Sequence, residues 1–342
     1  MASTPRGARL AAATLLSALA VSACGDIGSQ SGGSDGDVPT VRFSALPDPA
    51  PLPVLVMQEL GIDERHGFQA EFVEVDPDAA TSTFLLGESD IGVDQDATNS
   101  AIANNEGNDV VSFYPALTNT AAIVVPEDSP YRSPEDLVGA RVGHFGTDSG
   151  TTQAISVSLQ QGWGINPVED YELVQSSPAA LPELLASGEV DAIFDYEPYG
   201  LRAVERTPGR YLFKVADYWQ ENTDWAPPLA MLTARRDWLT ENGELAHAVQ
   251  NAWREAVQEI VDTDYQLFLE EPYATFLDRE SPEELQALAD YCAGLPCYTD
   301  TWTQEDTAQQ LVFLELLVEQ GGLDGLPDNV PVAVLDEVVQ AD

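Results

Sequence analysis

Two stretches of the chain carry one pattern, and it constrains the fold more than any other feature. LLGESDIGVD (85–94) and LASGEVDAIFD (185–195) share G-E-x-D-x-x-x-D. The first copy uses Gly87, Glu88, Asp90 and Asp94; the second uses Gly188, Glu189, Asp191 and Asp195. In each, an apolar helical end meets a glycine, whose missing Cβ permits the left-handed turn that closes a helix. A short apolar strand then runs out to the second aspartate, at its carboxyl end. Gly87 and Gly188 lie 101 residues apart, about one lobe, so the pattern predicts two lobes built alike. Ligands of open α/β sheets bind outside the carboxyl ends of the strands. Two such lobes face to face would bring Asp94 and Asp195 into one cleft from opposite sides.

Ten β-rich runs fit this plan: 41–46, 70–75, 90–93, 110–114, 121–125, 140–144, 171–175, 191–194, 211–215 and 229–233. Helical patterns lie between most of them, an alternation that argues for α/β with largely parallel sheets. The last hundred residues turn helical. GELAHAVQNAWREAVQEIV puts Leu245, Val249, Trp253, Ala256 and Ile260 on one face. Thr303 and Asp306 have capping-box spacing, ahead of a run that closes on Gly321-Gly322.

The first residues read as a leader. Arg6 and Arg9 precede an uncharged, largely apolar run from Leu10 to Ala23, too short to span a membrane as a mature helix. It ends in Val21-Ser22-Ala23-Cys24, which resembles the lipobox of bacterial lipoproteins, where the cysteine thiol takes the lipid. Lipidated Cys24 would hold the protein at a membrane surface. The Gly, Ser and Asp that follow read as a flexible tether. With Cys24 assigned to lipid, Cys292 and Cys297 remain, five apart, and an oxidising compartment predicts a small disulfide loop.

The charge excludes one class of partner. The chain carries 14 basic and 58 acidic residues, a net −44; loss of Arg6 and Arg9 with the leader makes it −46. Lys214 is the only lysine. Nucleic-acid binding rests on basic contacts to phosphate, which this chain lacks. A hydrophobic share of 44% with six tryptophans argues against disorder. The scattered acid reads as a solvated surface suited to high salt, where self-repulsion is screened.

Several segments, in order, resemble the substrate-binding lipoproteins of ABC importers for nitrate, sulfonates, taurine and thiamine-pyrimidine precursors. Gly61-Ile62-Asp63-Glu64-Arg65-His66-Gly67-Phe68 looks like that family's G-L-F-E-K-x-G-L segment. LLGESDIGV is similar to its L-x-x-G-x-x-D-x-G, DSPYRSPEDLVGARVG (128–143) to its D-S-x-I-x-S-x-x-D-L-K-G-K-x-V-G, and LLASGEVDAIFDYEPYG to its G-x-V-D-A…E-P. The resemblance implies an α/β, two-lobe periplasmic-binding-protein fold (type II-like). Each lobe is then an α/β sandwich around a mostly parallel sheet, and a hinge of two crossing strands joins them. It divides the chain into a signal peptide (1–23), a lipidated cysteine and linker (24–39), lobe 1 (40–122 plus 234–342) and lobe 2 (123–233). It also implies a lipid-anchored monomer on the outer face of the cell membrane. Such a protein passes a small molecule to an ABC permease with its ATPase, without cofactor, metal or catalysis.

The expected ligand residues stand at strand ends. They are Asp48 in a proline-stiffened loop, then Asp94, Gln95 and Asp96, then Thr118 and Asn119 near the crossover. The loop GHFGTDSGTTQ adds Gly146, Thr147, Asp148, Ser149, Gly150 and Thr151; Asp195, Tyr196, Glu197 and Trp225 complete the set. The set holds acids, amides, hydroxyls and aromatics, and neither lysine nor arginine. A nitrate or sulfonate site calls for cationic partners or many N–H donors, and here only His144 and the loop N–H groups offer themselves. Carboxylates beside aromatic faces suit a neutral or cationic ligand, such as an aminopyrimidine.

Other readings fare less well. Asp148-Ser149-Gly150 spells the core of an aspartic protease, but that chemistry needs two carboxylates sharing a proton and the motif occurs once. Ser149 lies in G-x-x-S-G, not the G-x-S-x-G elbow. His66, His144 and His247 show no metal spacing. The fungal thiamine-pyrimidine synthase is similar to these binders but carries a cysteine cluster absent here. A ligand sensor or a secreted enzyme is the alternative of another class. Arg202, Arg206 and Arg210, at helical spacing, read as one face of a helix, solvated or docking a partner.

Overall fold

The computed structural model describes residues 38–75, 79–206, 208–277 and 281–340, so the leader and Cys24 lie outside the described residues. The strands are β1 (Thr40–Ala45), β2 (Gln69–Glu74), β3 (Ile91–Gln95), β4 (Val110–Leu117), β5 (Ala122–Pro126), β6 (Arg141–His144), β7 (Glu172–Gln175), β8 (Ala192–Asp195), β9 (Gly209–Lys214) and β10 (Ala230–Arg235). They form two five-stranded sheets, β2-β1-β3-β10-β4 and β7-β6-β8-β5-β9. In the first, β1 runs parallel to β2 and β3, while β10 runs antiparallel between β3 and β4. In the second, β6 runs parallel to β7 and β8, while β5 runs antiparallel between β8 and β9. The reversed strand of each sheet is the first to arrive from the other, so two crossings produce one topology twice.

The repeated motif folds alike in both copies as far as its first aspartate. Gly87 and Gly188 take left-handed backbone, φ 78° and 72°. The N–H groups of Glu88 and Glu189 reach back to the carbonyls of Thr83 and Leu184. Asp90 then exchanges two bonds with Arg42 of β1. Its N–H donates to the Arg42 carbonyl at 2.9 Å, and its carboxylate accepts the Arg42 N–H at 2.9 Å. Asp191 does the same with Arg141 of β6, at 2.8 and 3.0 Å. Both carboxylates also accept from the arginine side chain. Each hook fixes the register of a central parallel pair, and with it the end of the strand that follows.

The two largest of four apolar clusters among the described residues lie on either sheet. The first gathers Phe43, Ile91 and Phe113 with Trp253 and Ile260 of the helix Gly243–Asp262 and Leu288 of the helix Pro282–Gly294. The second gathers Ile123, Val142 and Phe194 with Ile155 and Leu159 of the helix Gly150–Trp163. The helix Gln304–Glu319, opened by the Thr303–Asp306 capping box, buries Phe313, Leu314 and Leu317 in this second cluster beside Ala97 and Ala101 of the helix Ala97–Asn105. It therefore packs on both sides of the seam. Cys292 and Cys297 form a buried disulfide. Lys214 sits between the rings of Tyr211 and Tyr291, 4.3 and 4.5 Å from their centroids, an arrangement that attracts a cation to both faces.

One expectation is corrected. Arg202, Arg206 and Arg210 do not share a helix, because the helix Tyr199–Arg206 stops ahead of Pro208-Gly209 and Arg210 lies in β9. Arg202 stands over the Tyr199 ring at 5.6 Å, and Arg210 donates to Ser129 Oγ and the Tyr131 carbonyl.

The two hooks differ in burial: the Asp90 side chain is 13% exposed and that of Asp191 32%. Removing either leaves a strand N–H without its acceptor, at a cost that grows with burial. Asp90→Ala should lose about 2–3 kcal/mol in urea unfolding and Asp191→Ala about 1–2 kcal/mol. The reverse ranking would contradict the role given to the hooks.

Candidate functional site

The carboxyl ends of both sheets open on a cavity of about 550 Å³. The first lobe contributes Asp48, Thr81, Asp94, Asp96 and Asn99; the second contributes Phe145, Ser149, Gly150, Thr151, Tyr196 and the segment 175–178. Among the described residues, no lysine, arginine, histidine or cysteine lines it. The loop after β1 turns back on itself, with the Asp48 carboxylate accepting the Ala50 N–H at 2.8 Å. Asp94, near the end of β3, accepts the Leu46 N–H at 2.5 Å. Asp96 caps the next helix, accepting the Asn99 N–H at 2.7 Å while Asn99 Oδ1 accepts the Asp96 N–H.

Across the cleft, Ser149 caps the fourteen-residue helix Gly150–Trp163, its Oγ accepting the Thr152 N–H at 3.2 Å. Gly150 packs so closely on the Asp96 carboxylate that a Cβ there would collide with it. The lobes meet at this point, a carboxylate against a helix N-terminus, an arrangement the helix dipole favours. Phe145 and Tyr196 stack obliquely, 5.6 Å between centroids, and give the second wall its aromatic face.

Of the residues expected at the site, the structure brings Asp48, Asp94, Asp96, Ser149, Gly150, Thr151 and Tyr196 to this cavity. Gln95 is buried behind it and accepts from Thr81. Asn119 is buried in the crossing, accepting the Ala121 N–H. Thr118 and Trp225 line a separate cavity of about 700 Å³, walled by the helix Gly243–Asp262 and the segment after the disulfide. Gly146, Thr147 and Asp148 lie outside the lining; Gly146 donates its N–H to His144 Nδ1, and Thr147 and Asp148 are exposed.

Asp195 and Glu197 correct the symmetric picture. Asp195 is fully buried and does not line the cavity. In the first lobe Asp94 takes an N–H from the loop after β1. In the second, Asp195 Oδ1 takes the N–H of its neighbour Tyr196 at 3.0 Å, and Oδ2 has no partner among the described residues. The lobes agree up to the hook and part at the strand end, where Phe145 and Tyr196 form the wall. Glu197 turns away altogether: its carboxylate accepts the Tyr211 hydroxyl at 2.5 Å and the Leu201 N–H at 2.7 Å.

Thr81, Asn99, Phe145 and the Gln175-Ser176-Ser177-Pro178 segment also line the cavity, outside the expected set. The signal was present. The expected set comes from the ends of β1, β3, β4, β6 and β8, whereas the carboxyl ends of β2 and β7 lead to Thr81 and to Ser176-Ser177.

Burial dominates the electrostatics. It drives the Asp94 carboxyl well above the usual range, the charge of Asp48 adds to this, and the Leu46 N–H opposes it. Burial likewise lifts Asp96 to about 6 and Glu197 to about 7, and raises Asp195. His144 moves down for the same reason, so burial opposes a cation beside the cleft. A carboxyl raised in the folded state keeps a proton the unfolded chain has already lost. Stability from these groups is therefore complete near pH 4 and falls as pH rises toward 7. Melting temperature should drop across that window. Glu197→Gln, which cannot ionise, should flatten the upper part, a difference on the order of 2–3 kcal/mol. An unchanged pH profile in Glu197→Gln would contradict the burial account.

Comparison with known proteins places this architecture. Residues 48–264 match the family model described as NMT1/THI5 like. The periplasmic aliphatic sulphonate binding protein SsuA from Escherichia coli has 19% identity and a TM-score of 0.69, over 84% of this chain and 90% of that one. The periplasmic nitrate-binding protein NrtA from Synechocystis PCC 6803 has 16% identity and a TM-score of 0.64, over 89% of each chain. The desulfurization enzyme DSZB has 16% identity and a TM-score of 0.59, over 88% of this chain and 96% of that one. No curated protein matches the sequence. At these identities the solved structures share the fold: two lobes, each a five-stranded mixed sheet with flanking helices.

Proposed function

The chain belongs to the NMT1/THI5-like family, and from that premise we propose that it is an extracytoplasmic solute-binding protein. It captures a small molecule between its lobes and delivers it to an ABC permease. The observation that carries this reading is the cavity at the carboxyl ends of two facing sheets, with acids on one wall and aromatics on the other. The lobes divide near residues 40–122 with 234–342 and 123–233, with all of β5 going to the second lobe and all of β10 to the first, and the helix Gln304–Glu319 bridges the seam. Cys24 is the lipid anchor, a reading that rests on the sequence of residues 1–24 alone. Delivery needs no reaction in the cleft.

The wall selects the ligand. Three carboxylates in a lining that, among the described residues, holds no lysine, arginine or histidine disfavour an anion and favour a group that donates hydrogen bonds or carries positive charge. Phe145 and Tyr196 supply faces for stacking and cation–π contact. The best fit is a neutral or cationic heterocycle such as an aminopyrimidine precursor of thiamine. The solved relatives named for sulphonate and nitrate support a second reading, the same fold holding a sulfonate, taurine or nitrate. A sensor or secreted enzyme is the alternative of another class; an adjacent permease and ATPase in the genome would argue against it.

A ligand that binds only the folded chain raises its melting temperature. In a panel of aminopyrimidines, polyamines, taurine, alkanesulfonates and nitrate, the first should give the largest rise. Asp94→Asn should weaken that ligand about tenfold, about 1.4 kcal/mol, while Asp195→Asn, outside the cavity, should leave its affinity unchanged. A rise with sulfonates or nitrate alone would overturn the ligand assignment and leave the solute-binding reading standing.

A further inference from the structure

A small chamber shares a wall with the cleft. It offers about 10 Å³, roughly the room of one water. Asp96 and Gly150 line both spaces, so this pair is the partition between them. The rest of the lining comes from each part that joins the lobes. Thr98 belongs to the helix Ala97–Asn105 of the first lobe, and Ala154 to the helix Gly150–Trp163 of the second. Asn119 stands in the outgoing crossing and residues 227–229 in the return. Gln310 comes from the helix Gln304–Glu319, which packs on both sides of the seam.

The polar groups of the lining are unevenly matched. Gln310 is 3% exposed, yet its Oε1 has no hydrogen-bond partner among the described residues. A buried acceptor left bare costs its full desolvation. Asp96 gives Oδ1 to the Asn99 N–H, and Oδ2 is the oxygen that Gly150 approaches. Asn119 is buried and its Oδ1 accepts the Ala121 N–H, which leaves its amide nitrogen to donate. Buried Thr98 adds a hydroxyl, which can do either.

We infer that this chamber is a binding site for one ordered water, which donates to Gln310 Oε1 and to the Asp96 carboxylate. The lining selects that ligand. Water brings two donors and two acceptors, the complement of two acceptors, an amide and a hydroxyl. An anion would meet the Asp96 carboxylate, and a metal cation would meet the Asn119 amide hydrogens. A larger molecule has no room. The water ties the bridging helix to Asp96 at the partition, and so holds a cleft carboxylate from behind. The inference stands whichever solute the cleft takes.

Two measurements test it. A high-resolution crystal structure of the chain should show a water within about 3.2 Å of both Gln310 Oε1 and an Asp96 oxygen. A dry chamber, a Gln310 amide that donates straight to Asp96, or a peak at metal-like distances of about 2.4 Å would overturn the inference. The second measurement is urea unfolding. Met matches Gln in length and helix propensity and lacks the acceptor. With Oε1 bridged by water, Gln310→Met should lower the folding constant about tenfold; with Oε1 simply bare, the substitution would be neutral or stabilising. Ala154→Val adds two methyls at the chamber and takes the water's room. In that background Gln310→Met should cost little, the difference being the coupling through water. A neutral or stabilising Gln310→Met in the parent chain, or an equal loss in both backgrounds, would overturn the inference. Exchanging sodium for potassium at fixed ionic strength should leave the melting temperature of the parent chain and of Gln310→Met equally placed. A cation-specific shift lost in Gln310→Met would give the site to a metal ion and sink the water assignment.

Discussion

One carboxylate per lobe sets the rest of the structure in place. Asp90 and Asp191 each close a reciprocal bond pair with an arginine on the neighbouring central strand. Because side chains alternate along a strand, a slip of one residue would move every side chain of β3 or β8 to the opposite face, which is also covered, and so into packing shaped for its neighbour. The hook forbids that slip. The strand end, four residues on, is then delivered to one place at the top of each sheet. The cleft is what two such ends make when the chain crosses between lobes twice.

From that shared frame the lobes diverge for function. In the first, the strand-end carboxylate stays at the cavity and is joined by Asp48 and Asp96. In the second, the equivalent carboxylate is buried and an aromatic pair takes the wall. A cavity with acid on one side and ring faces on the other has a polarity, and a ligand with a donor edge and a flat face would lie across it in one orientation. The lobes meet where Gly150 packs on Asp96, so a small residue keeps closure possible.

Much of the fold is legible in the sequence because its signals are local. Alternating apolar runs marked all ten strands, Gly87 and Gly188 marked the turns, and Thr303 with Asp306 marked a helix start. The helical spacing of the arginines misled, because Pro208-Gly209 outweighed periodicity. The site was half legible. Residue type and strand-end position located Asp48, Asp94 and Asp96. Which side of the backbone Asp195 takes depends on a bond to the next residue's N–H, and whether Thr118 and Trp225 face the cleft depends on the path of the crossing. Those are tertiary facts with no local signature. The contact from Tyr298 to Pro49 spans 249 residues and has none either.

The most direct measurement is a crystal structure of the chain with the solute that stabilises it most. The account places that molecule between the lobes, its donor edge on Asp48 and Asp94 and its ring against Phe145 and Tyr196. A solute seated instead between Trp225 and Trp302 in the other cavity, with the inter-lobe cleft empty, would contradict it.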